Sequence, residues 1–229
     1  MTAARPGRAA RPGTRSGPGS TSGTARGPAA TVRLAVRADL ADLARGMPVA
    51  VAVSGGPDSL ALLYAAVAVA HPLGLAVGAL TVDHGWDPGS ADVAAAVAGL
   101  ARDLGCAPVE VGSAREVEPV GGDAPPGRPA AGGGPEAEAR DRRYALLEAA
   151  VARHGLGAVL LGHTLDDQAE TVLLALARGS GARSLAGMPA RRGPFRRPLL
   201  GLRREVVRSA LAGLASAAVP LPPGLPWRA

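Results

Sequence analysis

Residues 48–59 constrain the fold more than any other stretch. The run 48–53 is unbroken, apolar and valine-rich, the pattern of a strand buried on both faces of a parallel sheet. The run 60–70 is apolar and alanine-rich, with good helix propensity. Between them, Ser54-Gly55-Gly56-Pro57-Asp58-Ser59 makes a tight turn of small residues. Its two glycines open backbone conformations closed to other residues and allow close approach to a ligand. Ser59 or Asp58 is placed to cap the helix. The free amides at a helix start form an anion site suited to phosphate. Pro57 gives up one donor but fixes its own φ. An acid in such a loop repels a polyanion unless a cation intervenes, so Asp58 points to Mg²⁺. The plainer reading of the same residues is a Gly-Ser turn with a helix cap. A Walker A loop is excluded, because the chain contains no lysine.

The string 54–59 resembles the pyrophosphate-binding loop of the N-type ATP pyrophosphatases. Those enzymes split ATP between its α and β phosphates and activate a substrate as an adenylate. The resemblance implies ATP as substrate and Ser54, Gly55, Gly56, Pro57, Asp58 and Ser59 as its phosphate ligands.

The 229 residues suit one domain, with a hydrophobic content of 47% to build a core. Only 2% of residues are aromatic, so alanine, valine and leucine must fill it. The net charge of +6 is carried by arginine alone, and the pI of about 11.0 fits a polyanionic partner such as RNA. Biased coding composition accounts for the same arginines. Cys106 is the only cysteine, which excludes an internal disulfide and a Cys-x-x-Cys site and favours a reducing, cytoplasmic setting. No apolar stretch is long enough to span a bilayer, so no membrane partner is expected.

Residues 1–30 are rich in Gly, Pro, Ser, Thr and Arg and lack an apolar segment, the composition of a disordered basic tail. The folded domain is expected over 31–214. A first helix is expected over 31–45, with Val32, Val36, Leu40 and Leu43 near one face. A second strand over 75–82 leads to Asp83 and His84, at the carboxyl end where open α/β sheets bind ligands. A polar strand-to-loop cap is the plainer reading of those two residues. A helix over 90–104 and a strand over 108–111 follow. Residues 112–134 form a Gly/Pro-rich flexible loop without periodicity.

The run 135–154 reads as a helix in which Glu136, Arg140 and Tyr144 share a face. A strand over 158–161 then enters Gly162-His163-Thr164-Leu165-Asp166-Asp167-Gln168-Ala169-Glu170. A helix over 165–178 is expected, with Thr164 as N-cap and Leu165, Ala169, Val172, Leu173 and Leu176 as its core stripe. Asp166, Asp167 and Glu170 fall off that stripe, with His163 at the strand end. Two acids in a first turn also suit the helix dipole. A carboxylate cluster beside a histidine points to Mg²⁺ binding, general-base work, or both. The crowded Arg183, Arg191, Arg192, Arg196 and Arg197 suggest phosphate contact.

Residues 54–59, 82–85, 162–181 and Arg197-Pro198-Leu199-Leu200 together resemble the tRNA(Ile)-lysidine synthetase family. The helix 136–144 matches its Glu-x-x-x-Arg-x-x-Arg-Tyr pattern. The resemblance covers about residues 49–204. It implies an open, mostly parallel α/β sheet flanked by helices in three Rossmann-like layers, of the adenine nucleotide alpha hydrolase type. It implies an ATP-dependent ligase. Such an enzyme adenylates C2 of the wobble cytidine in a minor isoleucine tRNA with a CAU anticodon. The ε-amino group of L-lysine then attacks, giving lysidine, AMP and pyrophosphate. Asp58, Asp166, Asp167 and Glu170 are the implied catalytic acids, Asp58 and Asp167 the Mg²⁺ ligands. His84 and His163 would line the nucleotide or cytidine pocket, and Arg140, Arg143 and Arg178 would contact tRNA or phosphate. The Pro-rich residues 215–229 lack the family's Asp-Pro-Ser-Asn element and are expected to be a truncated or frameshifted end. Two alternatives stay open: another tRNA-modifying enzyme of the same fold, or a non-catalytic ATP- or tRNA-binding remnant.

Overall fold

The architecture comes from a computed structural model, which describes residues 1, 27–83, 85, 89–113, 135–177, 186–222 and 225, without the side chains of 135–137. Helix α1 (Pro28–Leu40) begins on Pro28, whose missing N–H costs nothing in a first turn. It buries Val32, Val36 and Leu40 along one face and stops short of the expected residue 45. Strand β1 (Pro48–Ala52) and helix α2 (Pro57–Leu73) flank the glycine-rich loop. Gly74 ends α2 in the left-handed region, at φ 70°, where its amide bonds back to Ala70 and His71 carbonyls.

Then come β2 (Ala76–Asp83), α3 (Ser90–Asp103), β3 (Val109–Ser113), α4 (Pro135–His154), β4 (Ala158–Leu160) and α5 (Leu165–Ala177). A short hairpin, β5 (Arg191–Arg192) and β6 (Phe195–Arg196), precedes α6 (Arg204–Ala215). The six strands lie in the order β3-β2-β1-β4-β6-β5. All pairings are parallel except β5 with β6. The chain builds outward from β1 through β2 to β3, then returns to place β4 on the other side of β1. The carboxyl ends of β1 and β4 therefore bound a topological switch point, where such sheets take ligands.

Alternation along the strands assigns the layers. Val49, Val51 and Val53 of β1 and its exit, with Ala158 and Leu160 of β4, face a core shared with α1, α2, α3 and α6. Ala50, Val159 and Leu161 face the opposite side and pack with Leu147 and Ala150 of α4 and with Phe195. The sheet is thus covered on both faces, as an all-apolar central strand requires. Leu60, Leu62 and Leu63 of α2 are fully buried, each contributing about 1.5–3 kcal/mol of burial.

Helix α5 corrects an expectation. None of its residues is buried among those described, and Leu165, Leu173 and Leu176 of the expected core stripe are 40%, 64% and 54% exposed. Periodicity finds an apolar face but not a neighbour to cover it. The described attachments of α5 are instead polar. Gln168 clamps the loop after α5, donating to the Met188 carbonyl at 3.0 Å and accepting from its N–H at 2.6 Å. No helix among the described residues is long and apolar enough to cross a membrane.

Candidate nucleotide-binding site

The loop after β1 folds onto itself through its two serines. Ser59 Oγ donates to the Gly56 carbonyl at 2.8 Å and accepts from the Ser54 N–H at 3.2 Å. The N-cap of α2 is Gly56, and no side chain caps it. The expected cap by Asp58 or Ser59 is therefore absent: the Ser59 hydroxyl is spent on a carbonyl, and Asp58 sits in the first turn. The helix start keeps its amides for another acceptor, the condition for anion binding. Gly55 takes φ 83°, and a Cβ there would come within 2.8 Å of Val93 Cγ1. That combination excludes a side chain.

From the other side, β4 runs into Gly162 and the start of α5. Thr164 and Asp167 form a reciprocal cap. The Thr164 N–H and Oγ each donate to Asp167 Oδ2 at 2.7 Å. This bears out Thr164 at the N-cap and leaves Oδ1 of Asp167 to accept from Arg204 at 2.7 Å. Asp58 and Asp167 line one cavity of about 220 Å³, with Ser54, Gly56, Ser59, His163, Arg140 and Arg143 also in its lining. It opens at the switch point, so the two acids, far apart in sequence, share one lining.

The electrostatics of the two acids differ. Burial raises the Asp58 carboxyl above its ordinary value, only partly opposed by Arg208 and Arg204. Its Oδ1 is buried and has no hydrogen-bond partner. Burial would also raise Asp167, but the Thr164 hydrogen bonds and the Arg204 guanidinium outweigh it and hold Asp167 below the usual carboxylate value. His163 is pushed down to about 4, by burial first and then by Arg197, so it is neutral at pH 7.

The remaining expected residues separate. Glu170 does not line the cavity; it is exposed and accepts from Arg204 at 3.0 Å. Asp166 does not line the cavity. Its Oδ2 accepts the Arg204 backbone N–H at 2.7 Å, anchoring the start of α6. Arg140 lies over the Tyr144 ring at 5.7 Å from its centroid, the helical spacing expected of that face. The Glu136 side chain, His84 and Arg178 lie outside what is described. Asp83 follows its plainer reading: Oδ1 accepts from the Gly85 N–H at 2.9 Å and from Ser90 Oγ at 2.5 Å.

The arginine-rich segment is also corrected. Arg197 is 4% exposed and donates to the Pro189 carbonyl at 2.9 Å and to Tyr144 Oη at 3.0 Å. Arg191 and Arg196 pair with Asp42 at 2.7 and 2.6 Å and tie the β5–β6 hairpin to the end of α1. Arg183 lies outside the described residues. Three of these five arginines therefore brace the fold.

Sequence reasoning missed Arg204 and Arg208. Arg204 Nη2 donates to Asp167 Oδ1 at 2.7 Å, and Arg208 Nε lies 3.5 Å from Asp58 Oδ1. Their spacing of four residues, on a helix that buries Val207 and Leu211, was the available signal.

Fold and site together define an α/β domain of the adenine nucleotide alpha hydrolase type. The chain belongs to the PP-loop family, whose domain its sequence matches over residues 32–215. It is 55% identical over 183 residues to the tRNA(Ile)-lysidine synthase of Thermobifida fusca, covering 80% of this chain and 52% of that one. It is 52% identical over 191 residues to the tRNA(Ile)-lysidine synthase of Salinispora tropica, covering 82% and 54%. The chain thus spans about half the length of the curated relatives it matches. Among solved structures, the U34-tRNA thiolase NcsA of Methanococcus maripaludis has the same fold. It superposes with a TM-score of 0.62 at 19% identity, covering 82% of this chain and 63% of that one.

Proposed function

We propose that this chain is the ATP-using catalytic portion of a tRNA(Ile)-lysidine synthetase. In this reading it acts in the cytoplasm on a minor isoleucine tRNA with a CAU anticodon, with L-lysine and ATP as co-substrates. The observation that carries the reading is the common lining of one cavity by the uncapped start of α2, Asp58 and Asp167.

Two displacements make up the reaction. The O2 of the wobble cytidine attacks the α-phosphorus of ATP, an O–P bond forms, and the bond to the β-phosphate oxygen breaks. Pyrophosphate leaves. The ε-amino group of lysine then attacks C2, the C2–O bond breaks, and AMP leaves with the oxygen. The amine loses its protons to a base or to water.

The residues divide this work by position. Ser54, Gly55, Gly56, Pro57 and Ser59 shape the loop whose amides and hydroxyls take the phosphates. Asp58 and Asp167 offer two hard oxygen donors, and Asp58 Oδ1, buried without a hydrogen bond and only loosely paired with Arg208 at 3.5 Å, suits a cation that keeps most of its waters and phosphate ligands. Among the described residues no three His, Cys, Asp or Glu side chains form a ready cage, which fits Mg²⁺ better than a structural metal. Mg²⁺ held by the two aspartates would neutralise charge on the departing pyrophosphate. Glu170, outside the cavity lining and paired with Arg204, would orient the lysine ammonium and accept its proton once that pair opens. Neutral His163 lines the cavity as a hydrogen-bonding group and not as a charge. Arg140 and Arg143 give the same lining its positive charge toward phosphate or tRNA. In this reading His84 and Arg178 join the nucleotide and tRNA contacts.

The test is AMP release from α-labelled ATP with Mg²⁺, lysine and a CAU-anticodon transcript, each omitted in turn. AMP that requires the tRNA, with labelled lysine entering it, supports the reading. ATP binding without AMP release would remove it.

A further inference from the structure

Arg204 opens helix α6 with its backbone N–H fixed to Asp166 at 2.7 Å. From that anchored position its side chain reaches three other acids. Nη2 donates to Asp167 Oδ1 at 2.7 Å and Nη1 to Glu170 Oε1 at 3.0 Å. Nε is buried without a hydrogen-bond acceptor, 3.9 Å from Asp58 Oδ2. One guanidinium thus sits among carboxylates from α2 and α5, two of which line the cavity. One turn later, Arg208 approaches Asp58 from the other oxygen.

This arrangement solves one problem and creates another. Three carboxylates gathered around one guanidinium, two half-buried and Glu170 exposed, repel one another, and a planar fork of five donors is suited to hold them together. Asp167, however, has no idle oxygen: Oδ2 is held by Thr164 and Oδ1 by Arg204. A divalent cation entering between Asp58 and Asp167 needs an Asp167 lone pair and is repelled by the guanidinium already there.

We propose that Arg204 is a positioning residue that gathers Asp58, Asp167 and Glu170 before a divalent cation arrives, and that it competes with that cation for Asp167. This rests on the Mg²⁺ reading given above. Arg204 keeps the acids aligned in the nucleotide-free protein and lowers their affinity for metal alone. Metal binding is thereby linked to the arrival of phosphates, which supply both new ligands for the cation and a new partner for the displaced guanidinium.

The test is Mn²⁺ binding to the full chain, tracked by the loss of the free-ion electron paramagnetic resonance signal, without ATP and with ATP, the latter against a protein-free control for the Mn²⁺ that ATP itself chelates. Arg204→Gln should bind Mn²⁺ without ATP about tenfold more tightly than the unaltered chain. Arg204→Lys keeps the charge but not the fork and should show a smaller gain in the same direction. It decides the matter if Arg204→Gln fails to fold by circular dichroism. Arg203→Gln removes the neighbouring guanidinium, which lies 3.5 Å from Asp166 and does not reach Asp167, and should change Mn²⁺ affinity less than about twofold. If the unaltered chain binds Mn²⁺ with ATP but neither Arg204 variant gains affinity without it, the positioning role is wrong. If the unaltered chain binds no Mn²⁺ even with ATP, the metal reading falls and takes this proposal with it.

Discussion

Gly162 passes so close to Ser59 that a Cβ on the glycine would lie 3.1 Å from the Ser59 Cα and 3.2 Å from its N. The exit of β4 thereby rests on the first turn of α2, with no side chain between them. This contact sets how near Asp167 comes to the glycine-rich loop. Its neighbours are backbone atoms, which cannot swing aside as a side-chain tip can. Gly162→Ala should therefore push the two segments apart by a few tenths of an ångström, at a cost of about 1–3 kcal/mol. Urea denaturation would measure that loss, and the KM for ATP should rise with it.

Asp58 should trade stability for activity. Its carboxyl is raised by burial, so the folded state takes up a proton more readily than the unfolded chain. Its charge thus opposes folding above that raised value, and the penalty fades as pH falls through it. Asp58→Asn should raise the Tm of the nucleotide-free protein at pH 7. In the proposed reaction the same change should reduce AMP formation by on the order of a hundred- to a thousandfold, because it removes the carboxylate that lines the cavity at the start of α2. Unchanged turnover would remove Asp58 from the machinery.

Asp167 has the opposite sign. Its folded value is depressed, so its contribution to stability is present above the unfolded carboxylate pKa and is lost as pH falls through the lower folded value. Asp167→Asn should lower Tm at pH 7, and the difference from the unaltered chain should vanish in acid. Scanning calorimetry against pH checks both the sign and the window.

His163, held to about 4, is neutral in the folded state across the working range. The unfolded chain binds its proton near pH 6.5, so this group makes stability fall as pH drops from about 6.5 to 4 and no further. Its imidazole resonances should titrate near 4 by NMR. A titration near 6.5 in the folded protein would mean that the ring is solvated and not part of the cavity wall.

Arg196 should matter more than its partner Asp42. Arg196 is 9% exposed, and its guanidinium also donates to the Asp39 carbonyl at 2.6 Å. Hydrogen bonding to Arg196 holds Asp42 down to about 2, but Asp42 itself is largely solvated. Asp42→Asn should lower Tm by only about 2 °C, an effect that salt erodes. Arg196→Met should cost more, because it removes the buried guanidinium that bridges the Asp39 carbonyl and Asp42, leaving the more exposed Arg191 as their described donor.

The strands and the loop were readable because their signals are local. A valine run, a glycine pair and a proline at a helix start each act on their own neighbours, and β1 and α2 follow from them. Asp58 and Asp167 could be placed for the same reason: each sits in the first turn of the helix that follows a strand. The exposure of Leu173 and Leu176 was not readable, since an apolar stripe does not say whether anything packs on it. Nor was the burial of Arg197, whose charge suggested RNA phosphate until Tyr144 and the Pro189 carbonyl were found to occupy it. Arg204 was missed because its partners lie 34 to 38 positions away on α5, a distance at which spacing carries no information.

The most direct test of the central claim is lysine transfer to tRNA by the full chain with ATP and Mg²⁺. Two transcripts would be compared, the CAU-anticodon isoleucine tRNA and the same molecule with its wobble cytidine replaced by guanosine. The account predicts one labelled lysine per cytidine-bearing tRNA, AMP released in equal amount, and neither product with the guanosine transcript. AMP formed equally with both transcripts, or formed without lysine entering the tRNA, would contradict it.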